Sequence, residues 1–482
     1  MKRNNHLTYL YLTIGVFSIL GLTSCKKFLD VGTSPTSISS ENVYQSDYTA
    51  AAVLTGLYAQ MMNSDFNAGG ITSISLLTEL SADNLVLYDL TNLSYLAYYR
   101  NILDANNTNT KLFGNGDYFS NFYPRLYTIN AAIEGLTKST ALTSTVKTRL
   151  LGEAFFLRAL YYFYLVNLIG DTPLALTTPY QINSTLERSP VNTVYNQIAS
   201  DLQQAISQLN ENYIDGSILN TTTERVRPNK FAALALLARV ELFRKNYSAA
   251  ESAATTVINA NNLYKILPLN EVFLKNSKET IWALQPVKTG YNTNEANVFL
   301  MPKGPDNNLK LFYASPLLIN SFEVGDLRKS NWIGITIIGN ITYPYIAKYK
   351  ADVSTTASVT EYNVVFRLAE QYLIRAEARA EQNNIPGSIS DINVIRQRAG
   401  LSISTANNIN DLRLIISHER RVELFTEWGH RWLDLKRGGN IDTEMQKAEL
   451  YKGGSWASYK ALYPIPNDGI LLNNKLVQNP GY

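Results

Sequence analysis

The sequence of 482 residues contains one cysteine, Cys25, and only three histidines. A lone cysteine excludes an internal disulfide, so the fold has to be stabilised without one. The Walker, GxSxG and GxGxxG motifs are missing, which removes the usual sequence signals for phosphate-loop, serine-hydrolase and dinucleotide chemistry. The run 418–422 begins like the helix motif of a zinc protease, but Val422 stands where the second histidine is required. We therefore predict no metal ion and no cofactor.

The chain also lacks an excess of charge of either sign. It has 43 lysine and arginine residues against 40 aspartate and glutamate residues, a formal net charge of +3. Because no basic field is available to hold a phosphate backbone, we predict no nucleic-acid partner. Tyrosine, in contrast, is abundant, with 31 residues against 17 phenylalanines. Tyrosine combines a flat apolar face with a hydroxyl group, so this composition suits a polar ligand with apolar patches.

The N-terminus has the layout of a secretory signal peptide: a basic start, a largely apolar run over residues 7–22, and small residues before Cys25. The run is short for a membrane span and is interrupted by polar residues. Leu22-Thr23-Ser24-Cys25 resembles the bacterial lipobox, in which cleavage leaves a lipid-modified cysteine at the new N-terminus. We predict a signal peptide over residues 1–24, a lipid on Cys25 and a flexible leader over residues 25–41.

Helical periodicity dominates residues 42–482, which we interpret as one body. In its N-terminal part, residues 42–260, and again over residues 364–437, pairs of helices carry alanine where two backbones would cross. These pairs resemble tetratricopeptide units, with ordinary helical hairpins as the alternative. The predicted fold is therefore mostly α: a tetratricopeptide-like scaffold of helical hairpins with an irregular, loop-rich face and a few short strands.

The C-terminal part, residues 261–482, loses helical periodicity over residues 263–360. Residues 279–284 are typical of a strand, and residues 333–349 of a hairpin that turns at Gly339-Asn340. Loops mounted on a rigid scaffold usually carry function, so we place the ligand loops in this segment.

Two acidic residues near the C-terminus, Glu419 and Glu423, are the strongest candidates for catalysis. At i, i+4 on a helix their Cβ atoms would lie about 5–6 Å apart, and a retaining glycosidase holds its carboxyl groups about 5–5.5 Å apart. We favour ion pairs with Arg420, Arg421 or Arg431, because such networks are commoner than active sites. Glycoside hydrolysis by the two glutamates is the less favoured alternative.

Several motifs follow one another from the N-terminus to the last residue: Ser24-Cys25-Lys26-Lys27-Phe28-Leu29-Asp30, Leu151-Gly152-Glu153-Ala154-Phe155-Phe156-Leu157-Arg158-Ala159, Gly170-Asp171-Thr172-Pro173, Glu419-Arg420-Arg421-Val422-Glu423-Leu424, Arg431-Trp432-Leu433-Asp434-Leu435-Lys436-Arg437 and Gln478-Asn479-Pro480-Gly481-Tyr482. Together they resemble the SusD/RagB family, outer-membrane lipoproteins of glycan uptake systems. The resemblance implies a helical scaffold with tetratricopeptide-like units, an irregular ligand face and no catalysis. It also implies a lid on a TonB-dependent, SusC-like transporter that captures oligosaccharide.

The same resemblance implies a lipid anchor in the outer membrane and an outward-facing body. Lys26 and Lys27 stand where acidic residues accompany surface display, which leaves the facing side open. Peptide, as in the RagB branch, is the alternative cargo, and the near-neutral charge and tyrosine-rich loops favour a neutral glycan. The signal peptide argues against a further alternative, a cytoplasmic tetratricopeptide scaffold.

The family's ligand contacts vary between members, so the binding residues have to be predicted from their chemistry. A sugar exposes flat C–H faces edged by hydroxyl groups, and a binder offers aromatic rings with amide or carboxyl groups beside them. We select aromatic residues outside the helical pattern that have asparagine, aspartate or glycine as neighbours. The candidates, with their polar neighbours, are Asp83, Asn84, Tyr88, Tyr291, Asn292, Trp332 and Tyr343, of which Tyr343 is selected because it stands beside Pro344.

Overall fold

The computed structural model describes residues 40–64, 66, 70–106, 118–288, 290–351 and 358–482. The predicted signal peptide, Cys25 and almost all of the leader lie outside these residues. In the part of the chain that is described, no helix combines the length and the apolar character needed to cross a membrane. Helices dominate and the strands are short, which confirms the predicted fold class.

The long, buried helix α6 (Ser144–Ile169) is the central element of the N-terminal part. It packs against α5 (Tyr118–Lys138) and α8 (Val191–Gln208), and most of its residues are buried on every side, as expected for a helix that is apolar all round. Gly170 ends it with a φ of +86°, a conformation that favours glycine. The helices of this part are α1 (Ser40–Val43), α2 (Asp47–Asn63), α3 (Ile74–Ser81), α4 (Leu93–Tyr99), α5 (Tyr118–Lys138), α6 (Ser144–Ile169), α7 (Tyr180–Asn183), α8 (Val191–Gln208), α9 (Lys230–Phe243) and α10 (Tyr247–Ile258).

The C-terminal part begins with short helices and ends with longer ones. Two 3-10 helices, Leu269–Glu271 and Ser458–Ala461, lie near its two ends. Its α-helices are α11 (Asn294–Phe299), α12 (Pro316–Ile319), α13 (Leu327–Trp332), α14 (Leu368–Glu381), α15 (Ile385–Arg398), α16 (Ile409–Leu424), α17 (His430–Arg437), α18 (Ile441–Lys452) and α19 (Asn467–Leu472).

Two helical pairs stack although a long segment separates them in sequence. Helix α9 packs on α10, α10 packs on α14, and α14 packs on α15. The turns inside the two pairs both place one residue in the left-handed region, Lys245 with a φ of +60° and Asn383 with a φ of +62°. Ala232, Ala235, Ala250 and Ala254 are fully buried where the first pair meets, and such small side chains let helices approach closely.

The strands of the described residues pair two by two in antiparallel fashion: β1 (Leu85–Leu87) with β5 (Phe312–Ala314), β2 (Thr172–Pro173) with β3 (Arg188–Ser189), β4 (Thr280–Leu284) with β8 (Asn363–Arg367), and β6 (Ile333–Ile338) with β7 (Ile341–Ile346). The predicted strand near residue 280 and the predicted hairpin are confirmed. Ile338 lies opposite Ile341 across a two-residue turn, and Gly339 takes the positive φ, +59°, that such turns favour.

One hydrophobic cluster of buried residues contains side chains from both parts, from Ala50 to Leu476. Its centre includes Trp282 of β4, whose ring is stacked 5.9 Å from Phe366 of β8 and edge-on to Phe156 of α6 at 5.0 Å. Large aromatic side chains contribute much of the apolar area that a core removes from water. The strands of the C-terminal part are therefore packed firmly against the helical scaffold.

Candidate functional site

Three tyrosines from three neighbouring strands meet at the surface. Tyr88 follows β1, Tyr313 lies in β5 and Tyr343 lies in β7. The Tyr343 ring stands edge-on to both neighbours, with centroid distances of 6.0 Å to Tyr88 and 5.5 Å to Tyr313 and interplanar angles of 80° and 89°. We call these three residues the tyrosine cluster. The Tyr88 side chain is exposed, and the other two are partly buried.

Backbone pairing holds the tyrosine cluster in place. Val86 of β1 lies opposite Tyr313 of β5, and the Tyr88 amide donates a hydrogen bond to the Leu311 carbonyl at 2.8 Å. Strand β7 packs beside β5. Because side chains alternate along a strand, Tyr313 faces away from its two buried neighbours in β5. The rings are thus carried by paired strands, which fix their spacing before any ligand arrives.

Tyr313 is protonated at physiological pH. Burial raises the pKa of Tyr313, and the neighbouring Tyr343 and Tyr88 raise it further. Its hydroxyl group therefore keeps its proton and can both donate and accept hydrogen bonds. Ile335 and Ile337 of β6 are also exposed, but they lie opposite Pro344 and Thr342 and therefore on the other face of the hairpin from Tyr343. Rings edged by hydroxyl groups can stack on the C–H face of a sugar and bond to its hydroxyls.

Asp83 and Asn84 are buried directly before β1. The carboxylate of Asp83 accepts hydrogen bonds from Arg421 at 2.9 Å and from Arg431 at 2.7 Å. Burial alone would raise the pKa of Asp83, but these two guanidinium groups bring it well below its ordinary value. The carbonyl of Asn84 accepts a hydrogen bond from the Ser315 amide at 2.8 Å. Asp83 thus ties the start of β1 to α16 and α17, and Asn84 ties it to the residue that follows β5. Because both are buried, neither is part of the surface around Tyr88.

Trp332 is fully buried at the end of α13. Its indole Nε1 donates a hydrogen bond to the Leu269 carbonyl at 3.1 Å, and its ring lies 5.8 Å from Phe273 and 6.2 Å from Phe425. A ring enclosed in this way has no face to offer a sugar, so we leave Trp332 out of the proposed binding surface.

Asn292 is also buried, and its Oδ1 accepts hydrogen bonds from the amides of Thr360 and Glu361 at 2.8 and 3.0 Å. It ties one loop to another and has no side-chain surface for a ligand. Tyr291 is partly buried, and the ammonium group of Lys288 lies 3.8 Å from its ring centroid. Of the aromatic candidates, only Tyr88 and Tyr343 are brought into ring contact with one another. The sequence analysis missed the third member of the tyrosine cluster, Tyr313.

Glu419 and Glu423 of α16 are fully buried and ion-paired. Nη1 of Arg328 lies 2.8 Å from Glu419 and 3.3 Å from Glu423, and Arg367 lies 2.6 Å from Glu423. Burial raises the pKa of Glu423, but Arg398, Arg367 and Arg328 lower it well below its ordinary value. A glycosidase needs one carboxyl group with a raised pKa that faces the substrate. The geometry of this pair therefore fits a structural ion network.

The predicted ion pairs of these glutamates exist, but their predicted partners were wrong. Arg420 pairs with Asp434 at 2.7 Å, and Arg421 and Arg431 pair with Asp83. Arg421 lies two positions from both glutamates and Arg420 one position from Glu419, and residues so spaced face in different directions on a helix. Arg420 is three positions from Glu423, but its guanidinium group binds Asp434 instead. The true partners come from α13, β8 and α15.

One group of described residues has spacing that could hold a metal ion: Glu323, His418 and Glu419. Nη1 of Arg396 lies 2.6 Å from Glu323 and 2.7 Å from Glu419. The guanidinium group supplies the positive charge that these carboxylates require. We therefore assign the group to the same ion network as Arg328.

The geometry is that of a helical scaffold that carries a surface of tyrosine rings on short strands. Two protein-family models match the chain, "SusD family" over residues 328–482 and "Starch-binding associating with outer membrane" over residues 27–242. Between them they cover most of the chain. The protein belongs to the SusD/RagB family, as its motifs predicted, and this family includes glycan-binding proteins associated with the outer membrane.

Known relatives span the whole chain. SusD-like protein P25 of Formosa agariphila is 25% identical over the full length of both proteins. Starch-binding protein SusD of Bacteroides thetaiotaomicron is 38% identical over 122 residues, which is 24% of this chain and 21% of that protein. A solved structure of a laminarin-binding SusD-like protein superimposes with a TM-score of 0.74 at 22% identity, and the match covers 90% of this chain and 99% of that one. The last similarity establishes a shared fold.

Proposed function

We propose that this protein captures a neutral oligosaccharide at the tyrosine cluster and passes it to a TonB-dependent transporter without cleaving it. The observation that carries the proposal is the edge-on contact of Tyr343 with Tyr88 and Tyr313 on rigid, paired strands. The family relationship supports a glycan as the ligand, because related proteins are described as binding starch and laminarin. Both of these are neutral glucans, which suits a surface of uncharged rings.

The absence of hydrolysis rests on the position of the acidic pair. The glutamates that could have acted as a glycosidase pair, Glu419 and Glu423, are enclosed and neutralised by arginines. An enclosed carboxylate cannot approach a glycosidic bond, and removing its arginine partners would destabilise the fold before it created an acid catalyst.

Calorimetric titration of the full-length lipoprotein in detergent tests the binding proposal. Laminarin oligosaccharides and maltooligosaccharides are the glycan probes, and a mixed peptide pool tests the alternative cargo. Tyr343→Ala removes the ring that contacts both other members of the cluster, so we expect a loss of affinity of at least about tenfold, or about 1.4 kcal/mol.

The matched control is Tyr451→Ala, which removes an exposed tyrosine on α18. It should bind the glycans as the native protein does. Binding of peptides but of neither glucan would contradict the glycan proposal, and equal affinities of Tyr343→Ala and Tyr451→Ala would contradict the proposed surface. Release of reducing sugar from either glucan during the titration would contradict the absence of hydrolysis.

We further propose that Cys25 carries a lipid that holds the protein in the outer membrane, with the body facing outward. Metabolic labelling with a palmitate analogue should mark the native protein and leave Cys25→Ala unlabelled. Protease treatment of intact cells should degrade the native body if it faces outward. Retained label in Cys25→Ala would contradict the lipid anchor on Cys25. Protection of the native protein from protease would contradict the outward orientation.

A further inference from the structure

A polar cavity of about 310 Å³ lies among helices of the scaffold. It is enclosed by the turn between α9 and α10 and by helices α14, α16 and α17. Its volume is at the lower end of the range typical of small-molecule pockets, about 300–1,000 Å³. None of the tyrosine cluster lines it, so it is a separate place in the fold. The charged side chains that line it are Lys245, Glu377, Glu381, Arg413, Arg420, Arg421, Arg431, Asp434 and Arg437.

The acidic side chains of this cavity are already neutralised. Glu381 is bound by Arg413 at 2.6 and 2.7 Å. Asp434 accepts from Arg420 at 2.7 Å and from Arg437 at 2.8 Å, and Arg437 also binds Glu377. The carboxylates therefore have cationic partners inside the wall and do not repel an anion as free carboxylates would.

The basic side chains are not matched in the same way. Arg421 and Arg431 share the carboxylate of Asp83, and Arg431 also lies 3.4 Å from Glu444. Lys245 is exposed at the edge and adds a further positive charge. The lining thus carries more cationic groups than anionic ones, and the excess lies within one small volume. Such a concentration of positive charge in a cleft raises the local concentration of anions.

Arg420 provides the most specific sign of a ligand. Its side chain is 2% exposed, and its Nη1 is buried without a hydrogen-bond partner. Nε is bound to Asp434, and Nη2 lies 3.5 Å from Nδ1 of His430. Burial lowers the pKa of His430 far below its ordinary value, and Arg239 and Arg420 lower it further, so the imidazole is neutral. A buried guanidinium donor left unpaired is costly and calls for an acceptor.

We propose that this cavity is a binding site for one oxyanion group, a sulfate, phosphate or carboxylate, held by Arg420 and Lys245. The planar fork of a guanidinium group matches such anions geometrically. The anion has two sources: a free inorganic ion, or the charged substituent of an acidic sugar. This site is independent of the proposed glycan capture at the tyrosine cluster, so an experiment can contradict one of the two proposals and leave the other unaffected.

Thermal unfolding of the full-length protein tests the site, with sodium chloride used to match ionic strength. Inorganic sulfate, glucose 6-sulfate and glucuronate are titrated separately. We expect a saturable rise in Tm of about 3–5 °C with at least one of them. Saturation by inorganic sulfate identifies a free-ion site, and saturation by a charged sugar alone identifies a site for acidic glycans.

Variants connect the effect to the cavity. Arg420→Gln should lower the affinity for the anion about tenfold, because it removes a charge-assisted hydrogen bond. Lys245→Gln alters only an exposed residue, so it tests the role of the positive charge even if Arg420→Gln folds poorly. It should lower the affinity for the anion about threefold. The matched control Lys278→Gln removes the same charge from an exposed position outside the cavity and should behave as the native protein does. A rise in Tm that never saturates, or one of equal size in Lys245→Gln and Lys278→Gln, would overturn the proposal.

Discussion

The ion network around Arg328 and Arg367 and the tyrosine cluster use opposite chemistry. In the ion network, charged side chains of α13, β8 and α16 are almost completely buried, those of α15 are largely buried, and they neutralise one another. In the tyrosine cluster, uncharged rings on short strands remain partly or largely accessible. The protein thus commits these charged groups to holding its C-terminal helices together. The surface that we propose for ligand recognition consists instead of tyrosine rings without a charged group.

The largest expected effect is on the ion network. Arg367→Met leaves the carboxylates of Glu279, Glu423 and Glu427 without one of their cations. A buried charge that loses its partner destabilises a protein by about 3–5 kcal/mol. Urea unfolding at neutral pH measures this loss, provided that the native protein unfolds in one transition.

An exposed ion pair provides the control for this prediction. Arg413→Met breaks the pair with Glu381, in which the arginine side chain is 53% exposed. Surface pairs contribute about 0–1 kcal/mol. Equal destabilisation by the Arg367 and Arg413 variants would show that the buried network contributes no more than a surface pair. The proposed division between a stabilising ion network and a ligand-binding tyrosine cluster would then be wrong.

The network also shows how far sequence reasoning reaches. The alternation of acids and arginines on α16 predicted ion pairs, and the structure confirms that Glu419 and Glu423 are paired. The sequence pattern could not predict Arg328 as the shared partner of both glutamates, because that contact depends on how α13 packs on α16 in the fold. Helical pairs were predictable from local spacing alone. Their stacking across an intervening segment was not.

The tyrosine cluster shows the same limit at the surface. Tyr343 was found from its proline neighbour in an irregular segment, whereas Tyr313 was missed because no polar neighbour marks it. The available signal was the alternation in Phe312-Tyr313-Ala314, which exposes the middle residue of a short strand. Trp332 has polar and glycine neighbours that suggest a loop, yet it closes a short helix and turns inward. Sequence neighbours reveal the local backbone better than they reveal burial.

Trp332 provides a smaller effect that separates the two regions. Trp332→Phe loses the hydrogen bond to Leu269 and part of a buried ring, so we expect a loss of about 2 kcal/mol in the free energy of unfolding. The affinity of the folded variant for glycan should stay unchanged, because the ring faces Phe273 and Phe425 in the core. Urea unfolding and calorimetric titration of the same preparation give both values. Weaker glycan binding at unchanged stability would place Trp332 in the binding surface after all.

The smallest expected effect concerns one hydroxyl group of the tyrosine cluster. Tyr313→Phe keeps the ring that stands 5.5 Å from Tyr343 and removes only the oxygen. If the rings provide most of the contact with the sugar, affinity should fall by about two- to threefold, the size of one neutral hydrogen bond, about 0.5 kcal/mol. Tyr313→Ala should lose several times more, because it also removes the apolar face and one side of the support for Tyr343. Calorimetry with the glucan that the native protein binds best distinguishes the two variants. An equal loss in both would assign recognition to the hydroxyl group, and the tyrosine cluster would then resemble the ion network, in which polar atoms decide the energy.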